Sequence, residues 1–268
     1  MIIDGKAIAA DILAQVKKSR EGLPSLIVRA IAVAPTAATE SYLAVKSARA
    51  KDAGMTLEVV RLPDTANTND VLQELEREGA DAVLIQLPLP PTIDTEQVLD
   101  AIPRELDADV LSASARAAFV AREEGALTPP VAGAVREILA RANVPVEGKR
   151  AVVVGEGWLV GKPAAEYLKA QGAEVQVLTL ERNDISILKA ADIVVSGAGA
   201  ADIIIPGMLT PGVVLIDAGT SESDGALRGD IDPACAEFAS VYTPVPGGVG
   251  PIAVACLFQN AAQLLRDV

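Results

Sequence analysis

The run Arg150-Ala-Val-Val-Val154, followed at once by Gly155-Glu-Gly-Trp-Leu-Val-Gly161, constrains the fold more than any other stretch of this chain. An apolar, β-branched run without polar alternation suits a strand buried on both faces, which is the situation of a parallel sheet. The glycines behind it permit a tight turn, and a helical pattern over residues 160–171 opens directly after them. Parallel neighbours need long crossover connections, so the remainder of the chain has to alternate strand and helix.

It does so. Strand patterns over residues 25–34, 56–61 and 82–86 alternate with helical patterns over 8–17, 39–53, 71–78 and 96–102. Gly54 ends the second of these helices. Leu87-Pro-Leu-Pro-Pro91 stops the third strand abruptly and leaves its end as a fixed platform. Residues 104–130 read as irregular and are the expected crossing between domains. Beyond them come a helix over 131–142, strands over 150–154, 174–180, 192–195 and 213–217, and a last helix over 250–265. The fold class is α/β with mainly parallel sheets in two domains. The first is expected over residues 1–125, completed by 250–268, and a Rossmann-like dinucleotide-binding domain over 126–249. The last helix is expected to pack back on the first domain.

Half the residues are apolar but only 3% are aromatic, so the core is built from Ala, Val, Ile and Leu. There is no histidine, which leaves proton transfer to Lys, Asp, Glu or Tyr. A formal net charge of -13 argues against nucleic acid as a partner, though a local basic group can still hold a small anion. No apolar run reaches the roughly 18 residues of a membrane span, and residues 1–20 lack a signal-peptide pattern. Cys235 and Cys256 make neither a disulfide framework nor a metal cluster, and a reducing cytoplasm is the expected setting.

Three places can carry chemistry. Gly155, Gly157, Val160 and Gly161, with Glu156 between them, form a G-x-G-x-x-x-G turn one residue longer than the usual dinucleotide fingerprint. Such a turn lets backbone approach a pyrophosphate that the helix N-terminus then stabilises. After the next strand, Glu181 suits a ribose 2′-OH and Arg182 a 2′-phosphate, so NAD and NADP both stay open there. Gly197-Ala-Gly199 and Gly219 close later strands and would line the same crevice. Second, Tyr42 and Lys46 stand at i and i+4 on one helical face. In isolation they are an ordinary amphipathic pair. The Tyr-x-x-x-Lys of short-chain dehydrogenases follows the glycine turn, whereas this one precedes it. Gln86 ends a buried strand, where a polar side chain must find a partner or face a cleft. Asp107 and Asp109 sit in the irregular segment. Third, Thr243-Pro-Val-Pro-Gly-Gly-Val-Gly-Pro251 is a rigid, shaped loop before the final helix.

In this order the pieces resemble the bifunctional methylenetetrahydrofolate dehydrogenase/methenyltetrahydrofolate cyclohydrolase family. The resemblance rests on Ile2-Ile-Asp-Gly-Lys6, Ser41-Tyr-Leu-Ala-Val-Lys46, Val83-Leu-Ile-Gln-Leu-Pro-Leu-Pro90 and residues 243–251. It implies that the first domain binds folate. Lys46 is then the proton-transfer residue of the cyclohydrolase step, Gln86 the hydrogen-bond partner that tunes it, and Tyr42 the packing surface for the aminobenzoyl ring. Asp109 anchors the pterin, and Gly247, Gly250 and Pro251 shape the pocket wall. It also implies an NAD or NADP cofactor, a homodimer and a place in one-carbon metabolism. Where the family carries Arg-Ser after the first glycine of the cofactor turn, this chain has Glu156 and Gly157. A carboxylate there repels a 2′-phosphate, which points to NAD or to weak cofactor use. The usual Lys-Asp-Val-Asp-Gly is Leu106-Asp-Ala-Asp-Val110, and the usual Pro-Cys-Thr-Pro is degraded near residues 127–131. Alternatives are a cyclohydrolase with weak or lost dehydrogenase activity, a non-catalytic folate or nucleotide binder, and a shikimate dehydrogenase-like oxidoreductase. Retention of Tyr42, Lys46, Gln86 and Asp109 speaks against the binder, and residues 243–251 against the last.

Overall fold

A computed structural model describes residues 1–179, 184–223 and 226–265. The chain divides into two compact units, Ala10–Pro130 with Val254–Val268, and Met1–Ala9 with Val131–Ala253. The division differs from the expected one at the N-terminus, where residues 1–9 go with the second unit. Their backbone explains it: Ile3 N donates to Tyr242 O at 2.9 Å and Gly5 N to Gly247 O at 3.0 Å.

From the N-terminus come α1 (Gly5–Ser19), β1 (Ile27–Val33), α2 (Ala37–Asp52), β2 (Thr56–Leu62), α3 (Thr68–Glu76), β3 (Ala82–Ile85) and α4 (Thr95–Asp100). The three strands form a parallel sheet in the order β2-β1-β3. Helix starts are set by short polar side chains. Thr36 Oγ1 accepts from Thr39 N at 3.2 Å, Asn67 and Asp70 form a capping box, and Asp94 accepts from Gln97 N at 3.0 Å. All four residues of β3 are buried, and Ile31, Val83, Ile85, Val98 and Ile102 share one core.

The segment expected to be irregular contains a further helix, α5 (Ala113–Ala121). Ser112 caps it, with Oγ accepting from Ala115 N at 3.2 Å, and Arg122 closes it in the left-handed region at φ 56°. Its alanines favour a helix without giving a strong apolar period, which is why the pattern is faint in the sequence.

The second stretch holds α6 (Pro130–Arg141), β4 (Arg150–Val154), α7 (Gly161–Ala170), β5 (Glu174–Leu178), β6 (Ile193–Ser196), β7 (Val214–Asp217), a β8–β9 hairpin (Ser221–Ser223 and Ala226–Arg228), β10 (Val241–Tyr242) and α8 (Val249–Leu264). Its main sheet runs β10-β7-β6-β4-β5, all parallel. Strand β10 has two residues, too few to show alternation in a sequence. In this order the chain winds outward one way from β4 to β5 and the other way from β4 through β6. The β4/β6 boundary is therefore the topological switch point, where open α/β sheets bind ligands beyond the strand carboxyl ends. The later part of α8 belongs to the first unit. Asn260, buried there, donates from Nδ2 to Ala108 O and Thr128 O, both at 2.9 Å.

Among the described residues, the first unit buries two ionisable side chains, Arg29 and Asp107. Arg29 on β1 is 2% exposed and faces its register partner Glu58 on β2, with Nε to Oε2 at 2.8 Å. The rest of its guanidinium donates to Arg77 O and to Glu78 O. Those contacts hold Glu58 below the usual carboxylate range, chiefly through the Arg29 hydrogen bond. A depressed carboxylate stabilises the fold above its unfolded value and loses that contribution as pH falls through the folded one. Arg29→Met should lower unfolding stability by about 1–3 kcal/mol, because two carbonyls lose their donor. The variant's urea midpoint should also fall less than the parent's on acidification. Equal midpoints at neutral pH would contradict the assignment.

Candidate functional site

Lys46 lies on α2 and Gln86 directly follows β3, 40 positions later in the chain. The Lys46 Nζ donates to Gln86 Oε1 at 2.9 Å, in a part-buried setting. The other end of the carboxamide is also held, since Gln86 Nε2 donates to Leu87 O at 2.9 Å. That second bond fixes which end of the amide faces the amine, so Lys46 meets an acceptor. Leu87 precedes Pro88 through a cis peptide bond at the strand stop.

Asp109 completes the charge balance. Burial pushes its carboxyl up to about 6, with Lys46 pulling it back and Asp107 adding to the rise. Burial likewise lowers the Lys46 ammonium from its ordinary value, with Asp109 opposing. The result is an amine nearer neutral working pH than a surface lysine, which suits proton transfer. Asp107, fully buried, builds the turn that presents Asp109. Its carboxylate accepts from Leu111 N at 3.0 Å, Ser112 N at 2.8 Å and Ser112 Oγ at 2.7 Å. Val110, next to Asp109, sits at φ 56°, where a β-branched residue carries strain. Tyr42 lies one turn before Lys46 on α2 and is 47% exposed, leaving its ring open to solvent.

Gly247, Gly250 and Pro251 belong to the other unit. Gly247 adopts φ 109°, and Gly248 N donates back to Pro244 O at 2.7 Å. Thr243 is fully buried, and its Oγ1 accepts from Asp217 N at 2.7 Å. The loop thus has a fixed shape.

Beyond the carboxyl ends of β4 and β6 the backbone is unusually close. A Cβ on Gly161 would stand 2.1 Å from Gly155 O, and one on Gly155 would stand 2.8 Å from Gly197 O. Gly157 borders open space, and Val160 packs where a side chain on Gly197 would go. This is a cradle that admits only glycine, at the switch point and opening on the N-terminus of α7. Its bare amides fit the pyrophosphate of a dinucleotide. Glu156 is exposed beside it. Trp158 is part-exposed, with Lys162 Nζ 4.8 Å from its ring centroid. Gly199 and Gly219 follow β6 and β7 on the same sheet edge. Glu181 and Arg182 lie outside the described residues. Among the described residues no group of His, Cys, Asp and Glu is arranged to hold a metal, and no helix is long and apolar enough to cross a membrane.

Sequence reasoning missed Asp217 and Asp230, both buried on this sheet edge. The only available signal was the acidic Gly229-Asp-Ile-Asp232 in an apolar context, which reads equally well as a turn.

Comparison with known proteins covers both units. Residues 3–109 match the family model for the tetrahydrofolate dehydrogenase/cyclohydrolase catalytic domain, and residues 129–267 that for the NAD(P)-binding domain. The bifunctional protein FolD of Staphylococcus aureus (strain Newman) is 35% identical over 272 aligned positions, covering 97% of this chain and 94% of that protein. Among solved structures, the bifunctional FolD methylenetetrahydrofolate dehydrogenase/cyclohydrolase of Campylobacter jejuni superposes with a TM-score of 0.94 at 28% identity. It covers 100% of this chain and 99% of that one. The Trypanosoma brucei enzyme, solved with NADP cofactor and inhibitor, gives a TM-score of 0.92 at 30% identity, covering 100% and 98%.

Proposed function

The chain belongs to the tetrahydrofolate dehydrogenase/cyclohydrolase family, and we propose that Lys46, Gln86 and Asp109 carry its folate chemistry, with NAD preferred as cofactor. The enzyme oxidises 5,10-methylenetetrahydrofolate with NAD(P) and hydrolyses the 5,10-methenyl product to 10-formyltetrahydrofolate. The observation that supports the residue assignment is the 2.9 Å bond from Lys46 Nζ to an amide oxygen whose orientation is fixed from behind.

Water adds to the methenyl carbon, and the bond from that carbon to one ring nitrogen breaks. Lys46 takes one proton from the attacking water and passes it to the departing nitrogen, and the second water proton leaves to solvent as the formyl C=O forms. Burial lowers the Lys46 ammonium value, which raises the share of neutral amine able to act as base. Gln86 holds the amine in place, and its oxygen, accepting from Lys46 Nζ, tunes the proton affinity together with burial and Asp109. Asp109, as a carboxylate, accepts hydrogen bonds from the amino and N–H donors of the pterin edge. Tyr42 offers its open ring to the aminobenzoyl group. The family resemblance assigns Gly247, Gly250 and Pro251 to folate binding as well. A bound NAD(P) would supply the hydride acceptor for the one-carbon unit. The chain's own contribution to that step is orientation by Gly155, Gly157, Val160 and Gly161 with the α7 N-terminus, and by Gly199 and Gly219. Glu181 and Arg182, outside the described residues, stay the candidates by sequence for the adenosine ribose.

Lys46→Met should reduce cyclohydrolase kcat by about 10²–10⁴-fold, the usual worth of a positioned acid/base, with a melting temperature close to the parent's. Methenyl absorbance decay measures it, and normal turnover would remove Lys46 from the mechanism. Asp109 gains a proton as pH falls through about 6. The folate KM should therefore rise on acidification through that point. Because its folded value is raised, its contribution to stability moves the opposite way, growing as pH falls from there toward the ordinary carboxylate range. Asp109→Asn should give a higher but pH-flat KM; an unchanged acid limb would assign it to another group. Glu156 stands in the cofactor turn in place of the family's Arg and is exposed there, so Glu156→Arg should shift kcat/KM toward NADP over NAD by about tenfold or more. A parent that already prefers NADP would refute the selection by Glu156.

A further inference from the structure

We infer that Asp230 is a positioning residue for the dinucleotide, holding the loops after β6 and β7 in the shape of the cofactor crevice; this rests on the NAD(P) reading above. Asp230 is fully buried. Its Oδ2 accepts from Ser196 Oγ at 2.7 Å, Ala198 N at 2.7 Å and Gly199 N at 3.3 Å, and its Oδ1 accepts from Ala200 N at 2.9 Å. Successive amides converging on one point form a concavity for an anion. Here the anion is supplied from within the fold. The loop after β6 is thereby fixed, and its own amides are satisfied before any ligand arrives. An internal negative charge at that place also discourages cofactor phosphate there, leaving the Gly155 to Gly161 turn as the phosphate cradle.

The same carboxylate sets the next loop. A Cβ on Gly219 would lie 2.0 Å from the Asp230 carboxyl carbon, so the chain after β7 lies flat against it. A second buried acid holds Asp230 itself. Asp217 Oδ1 accepts from Gly219 N at 3.0 Å and Asp230 N at 3.2 Å, and its Oδ2 from Ile231 N at 2.9 Å. Asp217 and Asp230 in series thus join two loops on the sheet edge that includes the switch point. A carboxylate only accepts, and every partner of Asp230 donates, so an amide in its place would set an NH2 against an N–H.

The test uses the full chain, with Asp230→Asn and Ser196→Ala as variants. NAD and NADP are titrated against the fluorescence of Trp158, the single tryptophan, which lies in the glycine turn. Cyclohydrolase activity is measured without dinucleotide, together with melting temperature. For the dinucleotide the parent binds better, Kd should rise about tenfold or more in Asp230→Asn and about threefold in Ser196→Ala. The cyclohydrolase kcat and its folate KM should hold at parental values. An unchanged Kd in the folded variants overturns the inference. So does a loss of cyclohydrolase in step with cofactor affinity, which would mark a general structural role. Should Asp230→Asn fail to fold, Ser196→Ala decides: weaker dinucleotide binding with intact hydrolysis supports the inference, and unchanged binding overturns it. A parent that binds neither dinucleotide overturns the underlying reading, and the inference with it.

Discussion

An amine taken partly out of water has to be compensated, and the folate-binding unit is arranged around that requirement. Lys46 finds one oriented carboxamide oxygen and one nearby carboxylate. Each compensating group is itself held. The Gln86 amide is tied at its far end to Leu87 O, and the segment bearing Asp109 is shaped by the buried Asp107 turn. Losing any one of these leaves a buried donor or charge without its partner, which costs more than the contact contributes when made. The cluster has no histidine, so proton transfer falls to a lysine whose ammonium value burial lowers.

The nucleotide-binding unit meets a different constraint, that of backbone proximity. Gly155, Gly161 and Gly197 bring three chain segments closer than any side chain allows. Loops built from so little side-chain packing need another source of rigidity. Buried acids supply it, with carboxylates accepting the amides that the glycine-rich segments cannot pair among themselves. One unit therefore uses charge to tune reactivity and the other uses charge to stiffen a scaffold.

Much of this was visible in the sequence, and the reasons are specific. The strand–turn–helix at residues 150–170 was legible because its signals are local: an apolar run, glycines at fixed spacing and a helical period. Lys46 and Gln86 were legible as separate oddities, a lysine on a helix and a polar residue closing a buried strand. Their bond joins positions 40 apart and follows from β1 and β3 being neighbours, which no local pattern encodes. Helix α5 escaped notice because its alanines blur the apolar period and its start is set by Ser112 and by Asp107, five positions away. The placement of residues 1–9 depended on an open edge at β10, a strand too short to announce itself. Asp217 and Asp230 resemble ordinary turn acids until the loops that surround them are known.

The dependence of Ala108 and Thr128 on Asn260 has a bearing on how the protein is made. Chains leave the ribosome from the N-terminus, and domains generally fold as units while they emerge. The side chain that satisfies those carbonyls, one of them next to Asp109, is synthesised after every strand of the nucleotide-binding sheet. The nucleotide-binding sheet, complete by Tyr242, is able to assemble while the folate-binding module still waits for its closing helix. A nascent chain stalled between Tyr242 and Asn260 would thus carry every strand of the nucleotide-binding sheet while Ala108 O and Thr128 O still lacked their donor.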